Sequence, residues 1–183
     1  MSAWDSEKFK LLESRIQEST AGKRHVIAVP YYVYLYKPEL EVECLKEFRN
    51  LALRLSRAGI SVETISLASL MIDSLHSLGC LSDSFSKIEE SRRNEIAKDL
   101  ERELLKEISE RLKEKLKKKD VSHCAILLRA GSLFPFVHIS SLLDQLEGAA
   151  HCTLVMPYPG NKEGNMLNYH WENIRTYYRG EII

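Results

Sequence analysis

Residues 124–146 read CAILLRAGSLFPFVHISSLLDQL, and this stretch decides the fold class. It opens on an unbroken apolar run, Ala125-Ile126-Leu127-Leu128, of the kind that forms a strand covered on both faces. Arg129 ends the run, and Ala130-Gly131-Ser132 supplies turn chemistry. Ile139, Leu142, Leu143 and Leu146 then fall on one face of a helix. The unit is therefore strand, tight turn, helix. Its turn stands at the carboxyl end of a strand, where open α/β sheets bind their ligands and partners.

Upstream, the same alternation recurs. Phe9, Leu12 and Ile16 mark a first amphipathic helix ended near Ala21-Gly22. Arg24–Tyr36, RHVIAVPYYVYLY, is rich in β-branched and aromatic residues and reads as the first strand, with Pro30 towards its end. A helix from Glu39 carries acids in its first turn, and Leu45, Phe48, Leu51, Ala52 and Leu55 on its apolar face, before Gly59. Ile60–Leu67 reads as a second strand and Ala68–Leu78 as a short helix closed by Gly79. Strand alternating with helix predicts a mostly parallel sheet of about five strands in a three-layer, Rossmann-like sandwich.

Residues 86–119 depart from this rhythm. Ser86-Lys87-Ile88-Glu89 has the form of a capping box. After it, Ile96, Leu100, Leu104, Ile108, Leu112 and Leu116 recur nearly every four residues amid charge. A continuous helix of this length would extend on the order of 50 Å, more than a crossover needs, so part of it is expected to project. Past the opening stretch, His151–Tyr158 reads as a fourth strand, and Ile174–Ile183 as a terminal one. The short connection before that last strand favours an antiparallel edge, or a hairpin with Met166–His170. The whole of 1–183 reads as a single domain.

Composition narrows the function. The 183 residues hold 26 Lys plus Arg and 26 Asp plus Glu, so no global field gathers nucleic acid. No apolar run approaches the roughly 20 residues that span a bilayer, and no signal-peptide pattern opens the chain. A cytoplasmic, reducing setting is the expectation. Cys44, Cys80, Cys124 and Cys152 are scattered without a C-x-x-C pair and read as packing thiols.

Catalytic signatures are missing. Gly22-Lys23 precedes a strand instead of following one, and Gly160-Asn161-Lys162-Glu163-Gly164 lacks the ending of a P-loop. Arg129-Ala130-Gly131-Ser132 has one glycine where a dinucleotide fingerprint has three. Ser132 sits between strand and helix as a nucleophile would, but Gly131-Ser132-Leu133-Phe134 is no nucleophile elbow, and neither His138 nor His151 is tied to it. The histidines show no zinc-site spacing. Neither an enzyme nor a cofactor is expected.

Two other features bear on binding. The helix 87–119 carries 12 Lys plus Arg against 9 Asp plus Glu, and its end, KEKLKKK, holds Lys115, Lys117, Lys118 and Lys119. These four are the candidate nucleic-acid contacts. The competing reading is a solvated helix whose terminal cations offset its dipole. Tyr31, Tyr32, Tyr34 and Tyr36 are clustered, and Tyr158, Tyr169, Trp171, Tyr177 and Tyr178 crowd the carboxyl end. Such residues serve equally as interface anchors and as half-buried strand positions.

Leu128-Arg129-Ala130-Gly131-Ser132-Leu133-Phe134-Pro135-Phe136, with Ser140, Leu142 and Leu143, resembles the G-[SA]-L-[FY]-P-F block of the BrxB family of bacteriophage-exclusion (BREX) defence systems. Tyr158-Pro159-Gly160, then Leu167 and Tyr177-Tyr178-Arg179, is similar to that family's closing block, and Tyr36–Glu41 fits more loosely. His138 stands where the family often has arginine, Lys162 interrupts the usual aromatic, and Gly180 replaces alanine. The resemblance implies a non-catalytic adaptor in a phage-defence complex. Its implied partners are a PglZ-like phosphatase-domain protein and other BREX subunits. Arg129, Gly131, Ser132, Phe134, Pro135, Tyr158, Pro159, Gly160, Tyr178 and Arg179 are the implied interaction residues.

Overall fold

The apolar run after Cys124 forms the strand it predicts, at the centre of an α/β sandwich. The computed structural model describes residues 4–23, 31–163, 166–168 and 180–183. In chain order the elements are α1 (Ser6–Thr20), β1 (Tyr31–Tyr36), α2 (Glu41–Arg57), β2 (Ser61–Ser66), α3 (Leu67–Ser77) and α4 (Asp83–Leu116). There follow β3 (His123–Leu128), α5 (Ile139–Leu146), β4 (Thr153–Pro159), β5 (Asn161–Glu163), β6 (Met166–Asn168) and β7 (Glu181–Ile182). The main sheet has the order β2-β3-β4-β1-β7, and all its pairings are parallel.

Period-two alternation sorts the strand residues between two cores. Tyr32, Tyr34, Tyr36, Cys124, Ile126 and Val155 face α1 and α2. Tyr31, Val33, Ala125, Leu127, Leu154 and Met156 face α3, α4 and α5. Three layers result, as the alternation of elements predicts. The tyrosines of β1 resolve the choice left open above, since Tyr31, Tyr32, Tyr34 and Tyr36 are all buried. A strand with helices on both sides has no face left for an interface. The Tyr32 hydroxyl lies 2.5 Å from that of Ser19 on α1, and the Tyr34 hydroxyl donates to the Asp5 carbonyl.

Tyr31 differs, because its hydroxyl is buried with no hydrogen-bond partner among the described residues. Burial pushes its pKa up to about 12, with Cys152 and Glu147 adding to the effect. An unfolded tyrosine ionises near pH 10, so between about pH 10 and 12 the unfolded state binds fewer protons than the folded one. Stability therefore falls over that window. In a titration followed by phenolate absorbance, replacing Tyr31 with Phe should remove a late-ionising group and flatten the alkaline loss of stability.

Several sequence expectations need correction. Of the first strand read over Arg24–Tyr36, Tyr31–Tyr36 is described as β1, and Pro30 with the rest of residues 24–30 lies outside the described residues. The helix of residues 83–116 is capped by Ser82, whose Oγ accepts the Phe85 N–H at 3.3 Å, and Ser86 lies inside it. Arg92 is non-helical (φ −137°, ψ 35°), which breaks α4 into two segments. On α2 the core position is Cys44, with Phe48, Leu51 and Leu55, while Leu45 is only half-buried.

The terminal strand is parallel, not antiparallel: Glu181 and Ile182 pair with Tyr32 and Val33 of β1. The connection from the end of β4 at Pro159 to Glu181 runs through residues 160–180. A parallel return needs a dozen or more residues, and this span supplies them. The antiparallel hairpin exists elsewhere, between β5 and β6. Tyr169, Trp171, Tyr177, Tyr178 and Arg179 lie outside the described residues.

Candidate functional site

At the carboxyl end of β3 the chain must turn sharply, and it does so at a residue that pays a steric penalty. Arg129 is left-handed (φ 63°, ψ 43°), the one non-glycine residue with positive φ among those described. For an L side chain this conformation costs roughly 1–2 kcal/mol. Gly131 and Gly160 are not among the glycines with positive φ, so glycine's conformational freedom is not what shapes these turns. The Arg129 carbonyl is clamped instead, accepting the Ser132 N–H at 3.1 Å and the Ser132 hydroxyl at 2.7 Å. A short 3-10 turn over Ala130–Leu133 follows, then a cis Phe134–Pro135 peptide and α5.

Ala130, Leu133 and Val137 are buried and root this turn in the core beside α3–α5. Arg129, Ser132 and Pro135 are exposed, while Gly131 and Phe134 are half-buried. A rigid corner results, with its apolar side inward and its polar side outward. Ser132 spends its hydroxyl on the turn. Replacing it with alanine removes one hydrogen bond, worth about 0.5–1.5 kcal/mol, and should lower Tm by a few degrees.

The β4 side of the edge is built from proline. Gly160 donates its N–H to the Tyr36 carbonyl at 3.0 Å, and β1 pairs with β4 as far as Pro159. Along a strand the N–H groups alternate in direction, so those at 155, 157 and 159 are the ones aimed at β3. Positions 157 and 159 are prolines and have no N–H to give. The β3–β4 ladder accordingly runs only from Cys124↔Thr153 to Ile126↔Val155. Beyond that point the two strands are unpaired, at the end of the sheet where Arg129 turns. Tyr158, Pro159 and Gly160 are themselves buried and support this edge from within.

On the α1–α2 side a groove of about 390 Å³ opens between α2 and the outer strands. Its wall on α2 is Leu45, Arg49, Leu53 and Ser56. Val62 and Thr64 of β2 and Leu128 of β3 form the floor, and Arg129 closes one end. The groove lies where α2 meets β2, the outermost strand of the sheet. Of these residues only Arg129 stands out in the sequence. The signal for the others was weak but present: Leu45, Arg49 and Leu53 repeat at four-residue spacing beside the buried stripe of α2.

The lysine-rich end of α4 is elsewhere. It leads into the amino end of β3, whereas Arg129 follows the carboxyl end, about 20 Å away for a six-residue strand. Lys115, Lys117 and Lys118 are exposed; Lys117 pairs with Glu114 at 3.4 Å. Lys119 is half-buried and bound to Glu63 at 2.8 Å, which ties α4 to β2. The cysteines are all free. Burial raises the Cys44 and Cys124 thiols and lifts Cys152 to about 11, so these three are uncharged packing groups at neutral pH. Among the described residues no group of three or more His, Cys, Asp or Glu could hold a metal ion, and no helix is long and apolar enough to cross a membrane.

A family model described as BREX protein BrxB matches residues 63–182, more than half of the chain. No curated protein and no solved structure matches it. The matched span takes in the Arg129–Pro135 corner and all of β4, whereas α1, β1 and α2 precede it.

Proposed function

Since the chain belongs to the BrxB family and is thereby a component of a BREX phage-defence system, we propose that it works there as a non-catalytic adaptor. Its partner in this reading is a PglZ-like protein, held at the carboxyl edge of the sheet, in the cytoplasm. The observation that carries the reading is the corner at Arg129–Pro135. It presents Arg129, Ser132 and Pro135 outward from a fully packed base, and its one hydroxyl is already bonded to its own backbone. A rigid, outward-facing corner suits docking, because little side-chain and backbone freedom remains to be lost on binding.

Co-expression with the neighbouring BREX genes tests this. An affinity-tagged chain should retain the PglZ-like protein through gel filtration at low salt, and deleting the gene should raise phage plating efficiency. Ser132→Ala should keep both the complex and protection, as no reaction passes through that hydroxyl. Absence of any stable BREX partner would remove the adaptor reading. Loss of protection in a Ser132→Ala protein that remains folded and assembled would instead favour catalysis.

A further inference from the structure

We propose that the groove between α2 and β2 binds an acidic segment of a partner protein, with Arg49 and Arg129 taking carboxylates and an apolar side chain lying between them. The proposal rests on the adaptor reading for who the partner is, but not for the chemistry of the groove.

Charge is the first observation. Neither Arg49 nor Arg129 has a carboxylate partner among the described residues. The contrast lies on the same helix, where Arg54 is held bidentately by Glu13 of α1 at 2.8–3.1 Å. Thus α2 satisfies its arginine on the α1 side and leaves the one on the groove side open. The planar guanidinium fork matches a carboxylate at two points, which makes it the cation suited to a specific acidic contact.

Shape is the second. Besides the arginines the lining is mostly apolar, with Leu45, Leu53, Val62 and Leu128, while Ser56 and Thr64 add two hydroxyls. Leu53 is 54% exposed, a large apolar side chain left at the rim of the groove. The volume of about 390 Å³ lies at the low end for a binding pocket and suits one or two side chains. Backbone conformation is the third. Arg129 keeps a left-handed φ that glycine would adopt without cost, and this places its side chain at the groove's end.

A peptide fits these features better than a nucleic acid. Polyphosphate binding draws on an extended basic field, and this chain has as many acids as bases. The lysine-rich end of α4 packs on the other face of the sheet, towards the amino ends of the strands, with Lys119 held by Glu63, so it does not extend the two arginines into a phosphate track.

The test is selection of a random dodecapeptide phage library on the purified chain, followed by affinities of the enriched peptides by fluorescence polarisation. Enriched peptides should carry Asp or Glu on both sides of an apolar residue. They should bind the R49Q/R129G double variant at least roughly tenfold more weakly, as expected for arginine anchors. Glycine at 129 suits the left-handed backbone, so the variant should fold, and circular dichroism checks this. Ala52 of α2 also lines the groove, and Ala52→Trp should block the same peptides while leaving the circular dichroism spectrum unchanged. No enrichment, enrichment without acidic bias, or equal binding by the double variant would overturn the proposal. Binding of a labelled single-stranded oligonucleotide that the double variant alone loses would also overturn it, and would assign the groove to phosphates. If the double variant still holds the BREX partner as tightly as wild type, the groove contact falls and the adaptor reading stands. If wild type holds no partner, the adaptor reading falls while the peptide selection still judges the groove.

Discussion

Replacing Phe48 with alanine should lower the unfolding free energy by about 3–5 kcal/mol, the range for emptying a buried aromatic site. Phe48 is fully buried on α2 and stands edge-on to Phe9 of α1 and Tyr34 of β1, at ring separations of 5.1 and 5.7 Å. Phe9 and Tyr34 in turn meet at 5.4 Å, and Trp4 lies against both. One ring therefore joins a helix pair to β1, and its loss leaves a cavity among packed rings and helices. Domains of this kind are stable by only about 5–15 kcal/mol, so the variant should be partly unfolded near 37 °C. Phe48→Leu keeps most of the volume and should cost much less. Denaturant unfolding measures both; a loss below about 1 kcal/mol for Phe48→Ala would mean that α1 and α2 do not pack on β1 as described.

The second large effect separates the two halves of α4. Ile108→Ala should cost about 2–5 kcal/mol, whereas Ile88→Ala should stay within about 0.5 kcal/mol. In sequence the two residues look alike, each an isoleucine in a charged helix. In the structure Ile108 lies fully buried with Leu104, Leu112 and Leu116 against α3 and α5, and Ile88 is 50% exposed. The break at Arg92 falls between them. Amide exchange should divide in the same way, fast before the break and slow after Leu104, since local opening follows the number of buried apolar partners. Equal costs for the two substitutions would show that the first segment packs as tightly as the second.

Much of the candidate site was open to reading from residues 124–146. The apolar run, the turn and the helical face are local signals, and each formed where its period placed it. The same stretch carried the family resemblance that the match over residues 63–182 bears out. Ser132 was singled out for its place between strand and helix; what could not be read was that its hydroxyl would be spent on the Arg129 carbonyl. Ordinary turn chemistry would put a left-handed position on Gly131, yet Arg129 holds it. A residue's conformation at a turn is set by how the elements on either side must meet, and that information is not in the turn.

By itself the sequence determined the class of fold, the order of its main strands and helices, and the family. These follow from hydrophobic period, turn residues and short motifs, all of which act over a few residues. Only the tertiary structure decided the rest. It buried the four tyrosines of β1 by placing that strand between β4 and β7 with helices on both faces. It made the last strand parallel, parted β3 from β4 where prolines withhold their donors, and brought Arg49 to the same groove as Arg129. Each of these depends on which elements become neighbours. That choice is made by burial summed over the whole chain, and residues eighty positions apart in sequence carry no mark of it on their own.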